Sequence, residues 1–88
     1  MEIVLIDHAR ERMRERGATE EEVRQAVLSG SAVEAKRGRE AKERVFSYNA
    51  SWQGRQYSQK KVRAIFIDEG DRLTVLTVYV YFGEWNDQ

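Results

Sequence analysis

Residues 72–82 read RLTVLTVYVYF, and this stretch decides the fold. Apolar or β-favouring side chains occupy both alternating faces of the stretch. No proline interrupts it, because the chain contains none. A strand that is apolar on both faces is typical of the interior of a sheet, where both faces are covered. We therefore expect the last strand, Arg72–Phe82, to lie inside the sheet and not at its edge.

Period-two patterns before this strand predict the rest of the sheet. Turn-forming residues separate these patterns at RGR (37–39), at Gln53-Gly54 and at DEGD (68–71). The predicted strands are 32–36, 43–52, 59–67 and 72–82, and the apolar run over 2–6 predicts a further edge strand. We expect a curved antiparallel sheet of about four strands.

Two helices are expected between the N-terminal run and the sheet. The sequence GATEEEVRQAVLSG (17–30) contains a capping box, in which Thr19 and Glu22 satisfy each other's backbone N–H groups. Asp7 is the expected N-cap of the first helix, and Gly17 is its expected left-handed C-terminal residue. The pattern predicts an α+β domain with two N-terminal helices packed on the sheet.

Length and composition exclude several classes of protein. With 88 residues the chain is expected to form one domain, 1–88. It has no cysteine and a single histidine, so we expect no disulfide framework, no metal and no cofactor. No secretory signal and no membrane-length apolar run are visible. We therefore expect a soluble, cytoplasmic protein with no membrane partner.

The net charge of zero hides an uneven distribution. Residues 36–67 contain nine Lys or Arg and two Glu, a net charge of +7, with aromatic residues interleaved. Cations and rings together suit single-stranded RNA, since cations hold phosphates and rings stack on bases. The alternative is a sheet whose rings are core and whose cations are solvated. The candidate RNA-binding residues are Arg44, Trp52, Tyr57, Lys60, Lys61 and Thr77.

The sequence HARERMRERG (8–17) places like charges four residues apart on the first helix. His8, Arg12 and Arg16 form one such column, which costs a few tenths of a kcal/mol per like-charged pair on an isolated helix. The column is either part of a functional site or an ordinary solvated face of the helix. In the second case Arg12 pairs with Glu15 at the i,i+3 spacing.

Metal-free RNA cleavage needs a base, a phosphate-binding cation and an acid. His8 is the candidate base or acid, because histidine is the side-chain type suited to proton transfer at neutral pH. Arg12, Arg16 and Arg63 are candidate phosphate ligands, because arginine binds phosphate bidentately and keeps its charge. Tyr79 is a candidate proton donor. The alternative for His8 is a structural role at the helix start.

The opening H-A-x-x-R-M-x-x-R-G, the T-E-E-E-V helix and the terminal L-T-V-L-T-V-Y resemble an uncharacterised family of small prokaryotic domains. The layout is also similar to BrnT-type toxins of the RelE/ParE-like superfamily. That resemblance implies paired helices on a curved sheet, metal-independent cleavage of mRNA and an antitoxin-like partner. The ParE-like branch poisons DNA gyrase instead, so the fold does not fix the target.

Three hypotheses follow from these patterns. The first is a toxin-like endoribonuclease that uses His8, Arg12, Arg16, Arg63 and Tyr79. The second is a non-catalytic RNA-binding module that uses the basic and aromatic segment. The third is an interaction module whose apolar final strand forms a homodimer or binds an antitoxin-like protein.

Overall fold

A computed structural model describes residues 2–85 of the chain. Within that range the elements are β1 Glu2–Leu5, α1 Asp7–Arg16, α2 Glu20–Ser29, β2 Ser31–Val33, β3 Glu40–Trp52, β4 Arg55–Asp68 and β5 Arg72–Gly83. The fold class is α+β, as the sequence predicts. Neither helix in this range combines the length and the apolar character needed to cross a bilayer.

The strands form one mixed sheet in the order β1-β5-β4-β3-β2. The expected count of about four strands is therefore wrong, because the described sheet has five. The expectation of an antiparallel sheet is also wrong at one strand, because Glu2–Leu5 pairs in parallel with Arg72–Val75, whereas the other neighbours are antiparallel. This pairing buries Ile3 and Leu5 in the core, and burial of these apolar side chains favours the added strand.

The final strand lies inside the sheet, between β1 and β4, as predicted. Its neighbour β1 is short, so only Arg72–Val75 are paired on that side. In residues 2–85 no strand pairs with the same edge of β5 beyond Val75. This uncovered edge becomes important for the placement of Arg16.

The two faces of the sheet differ in what covers them. Both helices pack on one face, where the core contains Val62, Ala64 and Phe66 of β4 and Val75 and Val78 of β5. Side chains alternate along a strand, so Lys61, Arg63 and Ile65 of β4 point to the opposite face. We call this opposite side the open face.

Local sequence signals fix the helix ends. The capping box of α2 is present, with reciprocal bonds between Thr19 and Glu22. Gly17 adopts φ 88° and ends α1 as predicted. Asp7 is not the N-cap, however. Ile6 takes that position, because its N–H is still bonded to Val75 of β5 while its carbonyl accepts the first helical bond.

A surface ion-pair cluster joins the two helices. Arg10 lies 2.5 Å from Glu20 and Arg24 lies 3.2 Å from the same carboxylate. Hydrogen bonds from Arg10 and then from Arg24 hold the pKa of the Glu20 carboxyl below its usual value of 4.5. The pairs are about one-third exposed, so each contributes less than about 1 kcal/mol.

The buried Lys60 side chain links the C-terminal end of α1 to the N-terminal end of α2. The side chain is 6% exposed, and its ammonium donates to the Gly17 carbonyl at 2.9 Å and lies 2.8 Å from Glu22 Oε1. It also lies 5.2 Å from the centroid of the Tyr48 ring. Contrary to the sequence-based expectation, Lys60 does not present its charge to an RNA on the surface.

Candidate nucleic-acid interface

The open face brings cations of β4 beside tyrosines of β5. In the antiparallel register, Lys61 lies opposite Tyr81 and Arg63 lies opposite Tyr79. Rungs on the same face are two residues apart, or about 6.7 Å along the strand. The face therefore presents cations and phenol rings in successive rungs.

Arg63 is held by a carboxylate and a phenol. Its Nε donates to Glu43 Oε1 at 2.8 Å, and its Nη2 lies 2.7 Å from the same oxygen. Its guanidinium carbon lies 5.1 Å from the centroid of the Tyr81 ring. Its Nη1 donates to the Tyr81 hydroxyl at 3.4 Å. The guanidinium is therefore oriented on the open face, and Glu43 occupies part of its donor set.

Trp85 folds back over the far end of this face. Its backbone N–H donates to Gln59 Oε1 at 2.6 Å, and an added Cβ on Gly83 would lie 3.5 Å from its indole. The Lys61 ammonium lies 4.6 Å from the centroid of the Trp85 ring and 3.5 Å from Glu43 Oε2. The face thus contains a second cation beside a ring.

Arg16 of α1 reaches this face around the unpaired edge of β5. Its Nη1 donates to the Val78 carbonyl at 2.8 Å, which satisfies an acceptor on that edge. Its guanidinium carbon lies 4.8 Å from the centroid of the Tyr79 ring. These side chains form a cation–aromatic row, which we define as Arg16, Lys61, Arg63, Tyr79, Tyr81 and Trp85.

A cavity of about 480 Å³ opens beside Tyr79, at one end of the row. Ile65 and Thr77, on the next rung of the sheet, line it from below. The segment between β2 and β3 supplies the remaining lining residues, which are Glu34, Ala35, Lys36 and Arg39. The volume lies within the roughly 300–1,000 Å³ typical of small-molecule sites.

The structure brings several of the predicted site residues together on this face, namely Arg16, Lys61, Arg63, Thr77 and Tyr79. It does not place His8 and Arg12 with them. Arg12 donates to both oxygens of Glu15 at 3.1 and 2.9 Å, which is the alternative pairing. His8 is exposed in the first turn of α1. The predicted column therefore divides, and only Arg16 turns toward the sheet.

Three other predicted RNA-binding residues do not join the row, because they contact α2 or the aromatic cluster around Phe82. Arg44 donates to Gln25 and to Ser29 of α2. The Trp52 ring is stacked on Phe82 with 5.0 Å between centroids, and the Tyr57 ring lies 5.5 Å from the same residue. These contacts correspond to the alternative in which the rings pack within the domain.

Sequence reasoning missed part of this surface. Tyr81 and Trp85 were not among the candidates, and neither were Glu43 or the three charged residues that line the cavity. The period-two relation between Tyr79 and Tyr81 is a signal that finds one of them. The three charged cavity residues carry no such signal, because they follow the end of β2 at Val33, whereas the pattern predicts a strand over 32–36.

A family model described as Domain of unknown function (DUF4258) matches residues 5–80 of the chain. No curated protein and no solved structure matches the chain. The match includes Arg16, Lys61, Arg63 and Tyr79 of the row and all the residues that line the cavity. In the part of the chain that the structure describes, no three His, Asp or Glu side chains form a group that could hold a metal ion.

Proposed function

The chain belongs to the DUF4258 family, and on that premise we propose that it binds single-stranded RNA on the open face of its sheet. The cation–aromatic row carries the proposal, since each of its three rings has a cation within 5.1 Å of its centroid. Single-stranded nucleic acids are bound by this combination, in which cations track the phosphates and rings stack on bases.

The exposure of the two tyrosines of the row supports the proposal. Tyr79 is 40% and Tyr81 is 41% exposed, and both lie on the part of β5 that pairs with a strand on one side only in residues 2–85. A large ring that is exposed beside a cation costs little to cover with a base, because the base replaces water on an apolar surface. The preference for RNA over DNA rests on the likeness in layout to BrnT-type and RelE-like toxins.

Charge limits the expected affinity. Glu43 pairs with both Lys61 and Arg63, so the row carries a modest positive excess. If its three cations each neutralise one phosphate, the logarithm of the binding constant falls with the logarithm of the salt concentration with a slope of about −2. We therefore expect binding that is weak and strongly salt-dependent.

Anisotropy of a short fluorescent single-stranded RNA, titrated at about 50 and 200 mM salt, tests the proposal. Tyr81→Ala removes an exposed stacking ring and is expected to weaken binding about 5- to 150-fold. Arg16→Gln is expected to weaken binding and to reduce the salt slope by about 0.7. A DNA strand of the same sequence tests the choice of RNA.

Arg14→Gln is the matched control, because Arg14 is exposed on the same helix and its substitution changes the charge equally. We expect this variant to bind as the wild type does. The proposal fails if the wild type does not bind RNA, or if Tyr81→Ala and Arg16→Gln bind normally while their circular dichroism is unchanged.

A second candidate function is metal-independent RNA cleavage of the RelE or BrnT type, on a RelE/ParE-like fold. The observation that favours it is the Arg16 guanidinium over the Tyr79 ring, which lies directly opposite Arg63 in the sheet. In this reaction a base removes the 2′-hydroxyl proton, the 2′-oxygen attacks phosphorus, and an acid protonates the leaving 5′-oxygen. The arginines stabilise the phosphorane, and the Tyr79 phenol is the acid.

His8 is the proposed base, but helix geometry separates it from Arg16. Eight residues of α-helix place their Cα atoms about 12 Å apart along the axis. A base must come within hydrogen-bond reach of its proton. The RNA would therefore have to extend along α1 for His8 to act on the phosphate that Arg16 holds.

Tyr79→Phe separates cleavage from binding, because it keeps the ring and removes the phenol. The assay follows end-labelled RNA in EDTA and looks for 2′,3′-cyclic phosphate products. If the chain is a ribonuclease, Tyr79→Phe binds RNA within twofold of the wild type and loses about 10²-fold or more in cleavage rate. Intact RNA with the wild type, or equal cleavage by Tyr79→Phe, would reject this second candidate.

A further inference from the structure

The cavity beside Tyr79 contains a combination of charges that the RNA-binding surface alone does not explain. Lys36 and Arg39 line it together with Glu34, and no ion pair joins the carboxylate to either cation in residues 2–85. We propose that this cavity is a nucleobase subsite that selects guanine. The inference rests on the proposed RNA binding and deepens it.

A defined turn positions the two cations. The Arg39 N–H donates to the Lys36 carbonyl at 3.0 Å, which closes a four-residue β-turn. Gly38, at the third position of this turn, has φ 80°, the left-handed value that a type II turn requires there. Lys36 and Arg39 therefore stand at the two ends of one closed turn, and both line the cavity.

The carboxylate supplies the selectivity. A glutamate carboxylate such as that of Glu34 only accepts hydrogen bonds. Guanine is the base whose Watson–Crick edge offers two adjacent donors, N1–H and N2–H, which one carboxylate binds in a bidentate manner. Adenine and cytosine place a ring-nitrogen acceptor beside their amino group, and uracil flanks its single donor with two carbonyl oxygens. Each of these alternatives sets a lone pair against the carboxylate, so guanine is favoured.

The other lining residues complement the rest of a guanine nucleotide. A Lys36 or Arg39 donor suits the O6 acceptor or the phosphate, since both side chains are donors only. The Tyr79 ring borders the cavity and also belongs to the cation–aromatic row. A strand bound along the row can therefore turn one unstacked base into the cavity, as single-stranded RNA recognition commonly requires.

The experiment compares uridine-rich RNAs that carry one central G, A, C or U, bound to the full chain in an anisotropy competition. One bidentate base contact discriminates by about 5- to 150-fold, so the wild type is expected to prefer the G strand by an amount in this range. Glu34→Gln replaces one acceptor by a donor and is expected to lose this preference while it still binds the uridine strand.

Glu40→Gln is the charge-matched control, because Glu40 is exposed at the start of β3 and does not line the cavity. It removes the same negative charge and is expected to keep the preference for G. The effect of Glu34→Gln on selectivity is thereby separated from a general gain in RNA affinity through lost repulsion.

The outcomes distinguish the two proposals. Equal binding of all four strands by the wild type, or an unchanged G preference in Glu34→Gln, overturns the guanine subsite and leaves RNA binding intact. If no strand binds, the proposed function fails, and guanosine monophosphate becomes the probe. A titration by NMR that shifts the backbone amides of Ala35 and Thr77 with this nucleotide, and not with uridine monophosphate, would then support the subsite alone.

Discussion

Replacement of Lys60 by methionine is expected to destabilise the domain without removing an RNA contact. Methionine keeps the unbranched apolar stem and removes the ammonium. The lost charge-assisted hydrogen bond to Gly17 contributes about 1.5–3 kcal/mol. Glu22 then loses its cation, but its side chain is 19% exposed and still accepts from the Thr19 N–H, so the added cost is about 1 kcal/mol.

We therefore expect Lys60→Met to lower the free energy of unfolding by about 2–4 kcal/mol. An 88-residue domain has a total stability of about 4–13 kcal/mol, so this loss is a large fraction of it. The corresponding fall in Tm is about 8–30 °C. Urea denaturation followed by circular dichroism measures the free energy, and the folded variant should bind RNA within twofold of the wild type.

The double variant Lys60→Met/Glu22→Gln tests whether the ion pair is the cause. The glutamine oxygen keeps the capping bond of α2, and no unpaired buried charge remains. The bond to Gly17 is still lost, so the double variant is expected to be about 1.5–3 kcal/mol less stable than the wild type, with a coupling energy of about 1 kcal/mol. A Lys60→Met variant within 0.5 kcal/mol of the wild type, or strictly additive effects in the double variant, would refute this reasoning.

Three further results are expected. Glu43→Gln releases the two cations that it pairs with, so RNA binding should strengthen and the salt slope should steepen by about 0.7 per added phosphate contact; unchanged titrations would argue against the row as the binding surface. Gly17→Ala should lower the free energy of unfolding, measured by urea denaturation, by about 2–5 kcal/mol, because it adds a Cβ 2.8 Å from the Trp52 ring to a left-handed backbone. Gly70→Ala, at φ 90° in open space, should lower it by only about 1–2 kcal/mol. Because Glu20 has a lowered pKa, its contribution to stability is present above pH 4.5 and is lost as the pH falls through the folded-state pKa. The free energies of unfolding of Glu20→Gln and the wild type should therefore differ by less than about 1 kcal/mol at pH 7 and become equal in acid.

Most turns and helix ends were predictable because short-range chemistry determines them, whereas the N-cap of α1 was not, because Ile6 is bonded to Val75 of β5. Gln53-Gly54 adopts φ 50° and 82°, as a two-residue hairpin turn between right-twisted strands requires. The bulge that follows Ser47 in β3 was not predictable from the sequence. Asn49 adopts φ 49° in this bulge. Asparagine tolerates this conformation without demanding it, so the sequence pattern alone does not indicate a bulge.

The candidate site was predictable only as a set of residue types. Cations and rings in the segment 36–67 indicated an RNA-binding surface, but their sequence proximity did not decide which of them share a face. Trp52 and Tyr57 pack with Phe82, while Arg63 joins Tyr81 of a neighbouring strand. Register between strands makes that choice, and register is a property of the whole sheet.

The sequence by itself determined the elements whose interactions span a few residues, such as the reciprocal bonds of Thr19 and Glu22 in the capping box. The tertiary structure alone decided the roles of Lys60 and Arg16. Lys60 finds its carbonyl partner 43 residues away, and Arg16 finds its own 62 residues away. Such contacts depend on how strands and helices are brought together in space. A basic side chain can therefore form a buried link between two helices or part of an exposed surface, depending on where the fold places it.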